Sequence, residues 1–321
     1  MLWSRCSVRR RPDLIGGLLA TLLAVPADAD IAFVTCQNAD AVSVIDLDTG
    51  VERARWSVPG KPAGVAVDPS GAVYTVSPDS KTVRRHDLTG AVTAEAVLDG
   101  GPIGVALDAA RDRMFVSDWY NARVFVLDVA TLEVITTLPT AAAPAGLALS
   151  PDGTLLAVAE RDADRVSLFD TESLAASHTA AVGSRPFGLG FAPDGRLFVG
   201  NVGSNDVTVI DPGVGEVLAT VPVGERPYGV AFAAGRAFVT NQYQNSVSVL
   251  SLEDLGPVAT LDVGEYPEGI AATEDGTIVV ANWFDNSLSL INAATLKVTQ
   301  GPATADGPRA FGAFLYPGHL P

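Results

Sequence analysis

A tripeptide recurs along this chain at nearly constant spacing, and it limits the available folds more than any other feature. Pro62-Ala63-Gly64, Pro102-Ile103-Gly104, Pro144-Ala145-Gly146, Pro186-Phe187-Gly188, Pro227-Tyr228-Gly229 and Pro267-Glu268-Gly269 follow one another at steps of 40, 42, 42, 41 and 40 residues. In the unit that begins at Val221, the runs 229–232, 237–240, 246–250 and 258–261 are rich in Val, Phe, Thr and Leu and too short for ordinary helices. Turn residues separate them at fixed offsets, as in Asp68-Pro-Ser-Gly71, Ser150-Pro-Asp-Gly153, Ala192-Pro-Asp-Gly195 and Thr273-Glu-Asp-Gly276. Four short antiparallel strands make a thin sheet that cannot bury both of its faces, so each unit needs neighbours on either side. A period of about 40 residues with four strands per unit predicts an all-β fold, the β-propeller.

The ends complete the count. Residues 31–56 hold the second, third and fourth strands of a unit without its first, and Ala310-Phe-Gly-Ala-Phe314 echoes Pro186-Phe-Gly-Leu-Gly-Phe191 with no hairpin after it. Six full units and two complementary fragments predict seven four-stranded blades, with a C-terminal strand joining the N-terminal blade so that no sheet edge stays open.

The strings V-G-x-x-P-x-G-V-A, F-V-T-N and N-S-V-S-V-L or N-D-V-T-V-I-D resemble those of the seven-bladed YVTN-repeat propellers, the group that includes YncE-like exported proteins. The resemblance covers residues 31–316. It implies the fold and leaves the activity open, since related propellers serve as scaffolds or as subunits beside quinone-dependent dehydrogenases.

The N-terminus reads as an export signal. Arg5, Arg9, Arg10 and Arg11 precede the apolar stretch 14–25, and Ala27-Asp28-Ala29 supplies a small-x-small cleavage site. Twelve apolar residues are too few to cross a bilayer, which needs about 20, so no transmembrane anchor is expected. Cleavage before Asp30 leaves a single domain over residues 30–321, periplasmic or secreted, and loss of four arginines and two aspartates moves the net charge from -16 to -18. Such acidity argues against a sequence-independent grip on nucleic acid, which needs clustered Lys and Arg. Cys36 becomes the only thiol, so no internal disulfide can form, and its place in an apolar β-run reads as a small buried hydrophobe.

In a four-stranded blade the loop leading into the innermost strand and the loop joining the second and third strands emerge on one face. That face collects Asp118, Trp119, Tyr120, Arg161, Arg185, Arg226, Tyr228, Tyr243, Tyr266, Trp283, Phe284 and Arg309. Aromatic groups beside Arg mark recognition surfaces, and these twelve residues are the candidate binding set. Catalytic constellations are thin. His86, His178 and His319 do not converge on one face, no Ser nucleophile has a His partner, and no phosphate loop or haem-attachment motif is present. Asp46-Leu-Asp48-Thr-Gly50 has the look of a type I turn rather than a calcium loop, and the pair Glu265 and Glu268 reads as solvated. No metal or cofactor is expected. The reading is a non-catalytic, monomeric propeller that binds a protein partner or small ligand on its loop face, possible company for a periplasmic redox or quinone-dependent system. The alternative is a propeller enzyme of the lactonase or lyase kind, or a quinone-dependent dehydrogenase subunit.

Overall fold

The computed structural model of the protein describes Met1, residues 30–318 and residue 320. The expected export signal lies outside the described residues. Seven sheets form a closed ring; in blades 3 to 7 the four strands run from the axis outwards in chain order, and in blades 1 and 2 a short C-terminal strand lies on the axis side of the strands that follow in chain order. Blade 1 takes residues 30–57, and blades 2 to 7 take residues 64–97, 102–139, 144–181, 186–222, 227–262 and 267–303. Among the described residues no helix is long and apolar enough to cross a membrane.

Apolar side chains on the two faces of each sheet meet those of the adjacent sheets, which produces the inter-blade clusters that hold the ring together. The Phe of the recurring second-strand run sits in these layers: Phe33, Phe115, Phe198 and Phe238 are fully buried. Truncating one such ring to alanine typically costs about 3–5 kcal/mol. The outer strands face water on one side and alternate accordingly, as in the exposed and half-buried residues of Pro257–Asp262.

Glycine in the Pro-x-Gly tripeptide answers to crowding at the axis. A Cβ on Gly104, Gly146 or Gly188 would lie 2.3, 2.3 or 1.8 Å from the carbonyl oxygen of Ala145, Phe187 or Tyr228, the middle residue of the next blade's tripeptide. A hydroxyl on the second strand bridges the same step. Ser117 Oγ accepts the Gly104 N–H at 2.9 Å and donates to the Ala145 carbonyl at 2.7 Å, and Thr240 Oγ1 does the same for Gly229 and Glu268 at 2.8 and 3.0 Å.

The C-terminal segment closes the ring as expected, with Leu315–Pro317 antiparallel to Asp30–Cys36 on the axis side of blade 1. Its register differs from the sequence echo by two residues. Pro308 bridges Cys36 as Pro186 pairs with Asn201, and the Ala310 N–H donates to Thr35 Oγ1 at 3.0 Å, so Pro308-Arg309-Ala310 is the seventh tripeptide. Phe311–Ala313 then leaves blade 1 to pair in parallel with Gly64–Val67 of blade 2 before Phe314 returns to Phe33. One segment thus ties both neighbours of the junction, which the repeat pattern could not reveal because no other unit does it. Cys36 is buried, in keeping with its sequence reading, and burial pushes its thiol up.

His86 is buried in blade 2, stacked on Trp56 with its Nε2 3.0 Å from Thr75 Oγ1. Burial holds its pKa below the ordinary value.

Two outcomes are expected. Removal of residues 308–321 should cause aggregation or a large drop in melting temperature, and an unchanged melt would contradict the closure. Because the unfolded chain protonates His86 before the native chain does, stability should fall as pH drops below about 6.5. Thermal melts of wild type and His86→Asn between pH 7.5 and 5.5 should therefore converge toward acid, the wild type losing more.

Candidate functional site

The lead-in loops and the second-to-third strand loops do emerge together. Backbone bonds join them within each blade, from Trp119 N–H to Gly101 at 2.9 Å, Gln242 to Arg226 at 3.1 Å and Trp283 to Tyr266 at 3.0 Å. A second device joins them between blades. Asp164, Asn205 and Asn245 hold left-handed backbone at φ 49°, 60° and 51°, and their side-chain oxygens accept the N–H of Arg185, Arg226 and Tyr266 at 2.7, 2.9 and 3.0 Å. Asn and Asp tolerate this backbone region and carry the acceptor that the next lead-in loop needs. Arg185, Arg226 and Tyr266 are themselves left-handed at φ 54°, 55° and 57°, which tips their side chains onto the face.

The candidate residues divide into three groups. Tyr243, Tyr266, Trp283 and Phe284 form a continuous aromatic strip across blades 6 and 7, with ring centroids 4.9 to 5.6 Å apart. Arg226 lies over Tyr243 at 4.4 Å and donates to its hydroxyl at 2.9 Å. Tyr243 and Phe284 are 55% and 59% exposed, so the strip is open to a partner. Beneath it lies a shallow hollow bordered by Glu225, Gln242, Asn245 and Glu265.

The second group closes the central channel. Phe187, Tyr228 and Phe311 pack together with centroids 4.4 to 5.8 Å apart, and Trp119 leans on Phe187 at 6.0 Å under the Arg161 guanidinium. Beside these rings Arg309 donates to the Tyr228 hydroxyl and to Gln37 Oε1, and Gln242 donates to Glu268 Oε1 at 2.8 Å. Arg309 Nε lies 3.2 Å from Glu268 Oε2, close enough for charge attraction although not aligned as a hydrogen bond. Burial pushes the Glu268 carboxyl up against the pull of Arg309 and Gln242, and burial likewise raises the Tyr228 phenol. The expected solvation of Glu268 is therefore incorrect: it is 4% exposed and paired. Tyr228 and Arg309 belong to this plug rather than to an open surface.

The remaining three candidates stand apart. Asp118 is fully buried; burial alone would raise its carboxyl, but the Gly101 N–H, Asn121 and Arg123 outweigh this and hold it low. Asn201, Asn241 and Asn282 occupy the same end-of-strand position and bond across their own hairpins, so Asp118 is a clasp. Tyr120 is 75% exposed and Arg185 is exposed, neither within the aromatic strip. Among the described residues no group of three or more His, Cys, Asp or Glu side chains is placed to hold a metal ion. Sequence reasoning missed Gln37, Phe187 and Phe311 in the plug. A signal existed: the middle positions of successive tripeptides read Ala, Ile, Ala, Phe, Tyr and Glu, and a charge at a position otherwise apolar asks for a buried partner.

No known protein family and no curated protein matches the sequence. Solved structures do match. A functionally unknown protein from Desulfotomaculum acetoxidans superposes with a TM-score of 0.76 at 17% identity, over 92% of this chain and 100% of that one. Kuenenia stuttgartiensis hydrazine synthase gives 0.72 at 19%, over 88% and 100%, and a streptogramin B lyase gives 0.68 at 17%, over 81% and 92%. At such identities the likeness shows the seven-bladed propeller fold, and the neighbours' varied descriptions leave the task open.

Breaking one side of the buried pair leaves the other charge uncompensated. Arg309→Met should cost about 3–5 kcal/mol in urea unfolding, whereas Glu268→Leu combined with Arg309→Met should recover much of that loss. A double-variant cost equal to the sum of the two single-variant costs would show the pair to be uncoupled.

Proposed function

We propose that this chain is an exported, non-catalytic propeller of the YVTN-repeat kind that binds a protein partner through the loop face of blades 6 and 7. The observation that carries this reading is the aromatic strip, where Tyr243 and Phe284 stay more than half exposed although Tyr266 and Trp283 lie stacked beside them. A ring left in water gains nothing for the fold, and stacked aromatics beside Arg are the composition from which binding hot spots are built. Glu225, Glu265 and Asp285 are exposed around the strip, and the whole chain is strongly acidic. A fitting partner presents apolar groups rimmed by Lys or Arg, which also favours fast encounter at low salt.

Catalysis has less support on this face. Three of its arginines are already engaged, Arg226 with Tyr243, Arg161 with Asp162, and Arg309 with Glu268 and Tyr228. The export reading rests on the basic and apolar N-terminal run with its cleavage signal. A location in the periplasm, or beyond the cell, would suit an accessory to a redox or quinone-dependent system there.

The test is co-purification from periplasmic extract with wild type and a Tyr243→Ala/Phe284→Ala variant. Both positions are exposed, so the melting temperature should hold, while partner recovery should fall at least tenfold if each ring is worth more than about 1 kcal/mol. Equal recovery would exclude this strip as the contact.

A further inference from the structure

The seven innermost strands surround a channel of roughly 570 Å³, and its chemistry differs from that of the loop face. Among the residues lining it, Glu268 alone has a polar side chain; the others are Gly, Ala, Val, Leu, Ile, Phe and Pro. The Glu268 carboxylate is not free to receive a ligand, because Gln242 and Arg309 occupy its two oxygens from the plug side and Oε2 is shielded from solvent. Val105, Leu147, Leu189, Val230 and Ile270, each directly after a tripeptide glycine or its equivalent, make one apolar belt.

Toward the loop face Phe187, Tyr228 and Phe311 pack together over the channel with ring centroids no more than 5.8 Å apart. At the other end its wall reaches Pro69, Leu149, Phe191, Phe232 and Ala272, which lie at or beside the last residues of innermost strands, next to the first turn of each blade. The mouth therefore opens on the face opposite the aromatic strip. Each innermost strand is the edge of its sheet, so the backbone groups on its axis side have no partner strand. Among the described residues the closing segment covers that edge in blade 2, through Phe311–Ala313, and touches it in blade 7, where the Gly269 N–H donates to the Arg309 carbonyl at 3.1 Å.

We propose that this channel is a binding site for an uncharged, linear, mainly apolar molecule with a hydroxyl or ester group, of the fatty-alcohol kind. The apolar wall favours a hydrocarbon chain, and burying a charge with no counter-ion within reach is unfavourable. The volume of roughly 570 Å³ has room for a hydrocarbon chain, and the uncovered edge backbone groups supply donors and acceptors for one neutral polar group. This site does not depend on the loop face, and the two readings can fail separately.

Isothermal titration of the purified full chain with n-hexanol through n-decanol tests it, with decanoate and decylammonium as charged comparators. Affinity should rise about fourfold per added methylene, and each charged comparator should bind at least tenfold more weakly than decanol. Ala148→Trp and Ala271→Trp, at half-buried wall positions, should abolish binding, while Tyr243→Ala/Phe284→Ala should leave it unchanged. Affinity that is flat with chain length, charged probes that bind as well as decanol, or filled variants that bind like wild type would overturn the site. If either tryptophan variant fails to fold, the chain-length series on wild type decides alone.

Discussion

Backbone packs directly against backbone at the axis, and most of the sequence regularity follows from that contact. Innermost strands of adjacent blades come so near that a methyl group on Gly64, Gly104, Gly146, Gly188, Gly229 or Gly269 would fall 1.8 to 2.8 Å from a carbonyl oxygen of the next blade. No side chain can be accommodated at these six positions without moving a strand, so glycine is imposed there, while the closing segment, whose strand leaves blade 1 for blade 2, carries Ala310 instead. The proline two residues earlier starts the strand at its unpaired edge, and the middle residue is thrown toward the axis by the shift of register that follows it. The tripeptide is thus a single geometrical solution, repeated because the ring repeats.

Seven-fold repetition would by itself give a channel mouth with the same chemistry all round. This chain breaks the symmetry with its middle residues. Phe187 and Tyr228 fill the mouth on one side, and Glu268 and Arg309, adjacent in the ring and opposite in sign, fill it on the other. Because Arg309 comes from the closing segment and Glu268 from blade 7, the charge pair spans the junction at which the two chain ends meet. A buried pair contributes little net stability over a well-packed apolar one, but it penalises any register in which either charge is left alone. That penalty bears on the two-residue shift of the closing strand: the alternative alignment through Ala310-Phe-Gly would place Phe311 at the middle position and leave Glu268 without its counter-charge.

The fold was legible because the constraints that produce it are local and repeated. Glycine at a fixed offset, alternating Val and Thr, and Asp or Asn at turns each state one physical requirement, and the period of about 40 residues assembles them. The loop face was legible for the same reason, since the parity of a four-strand meander fixes which loops share a side. What the sequence could not show depends on contacts between units. The Asn245 side chain reaches the Tyr266 N–H of the next blade, and Asp118 is spent on its own hairpin, so a residue on the right face may still be committed to the scaffold. Glu268 looks solvated when read with Glu265, its neighbour three residues away, and buried only when read with Arg309, 41 residues further on.

The two ends of the ring consequently do different physical work. On the loop face each blade contributes long loops whose side chains are tied down in part by hydrogen bonds between blades, which leaves a few rings, Tyr243 and Phe284 above all, both exposed and held in place. On the opposite face the turns are short, and the channel wall behind them consists of glycine, alanine, branched aliphatic residues, Pro69, Phe191 and Phe232, which cannot discriminate polar groups. Aromatic rings with fixed positions suit recognition of a shaped surface, whereas a smooth apolar bore suits a ligand defined by length and lack of charge. The plug of Phe187, Tyr228, Phe311 and the Glu268–Arg309 pair separates the two, so a molecule in the bore would rest against the underside of the layer that supports the loop face. Any coupling between them has to pass through that layer, because among the described residues it is where side chains from blades 3 to 7 and the closing segment meet.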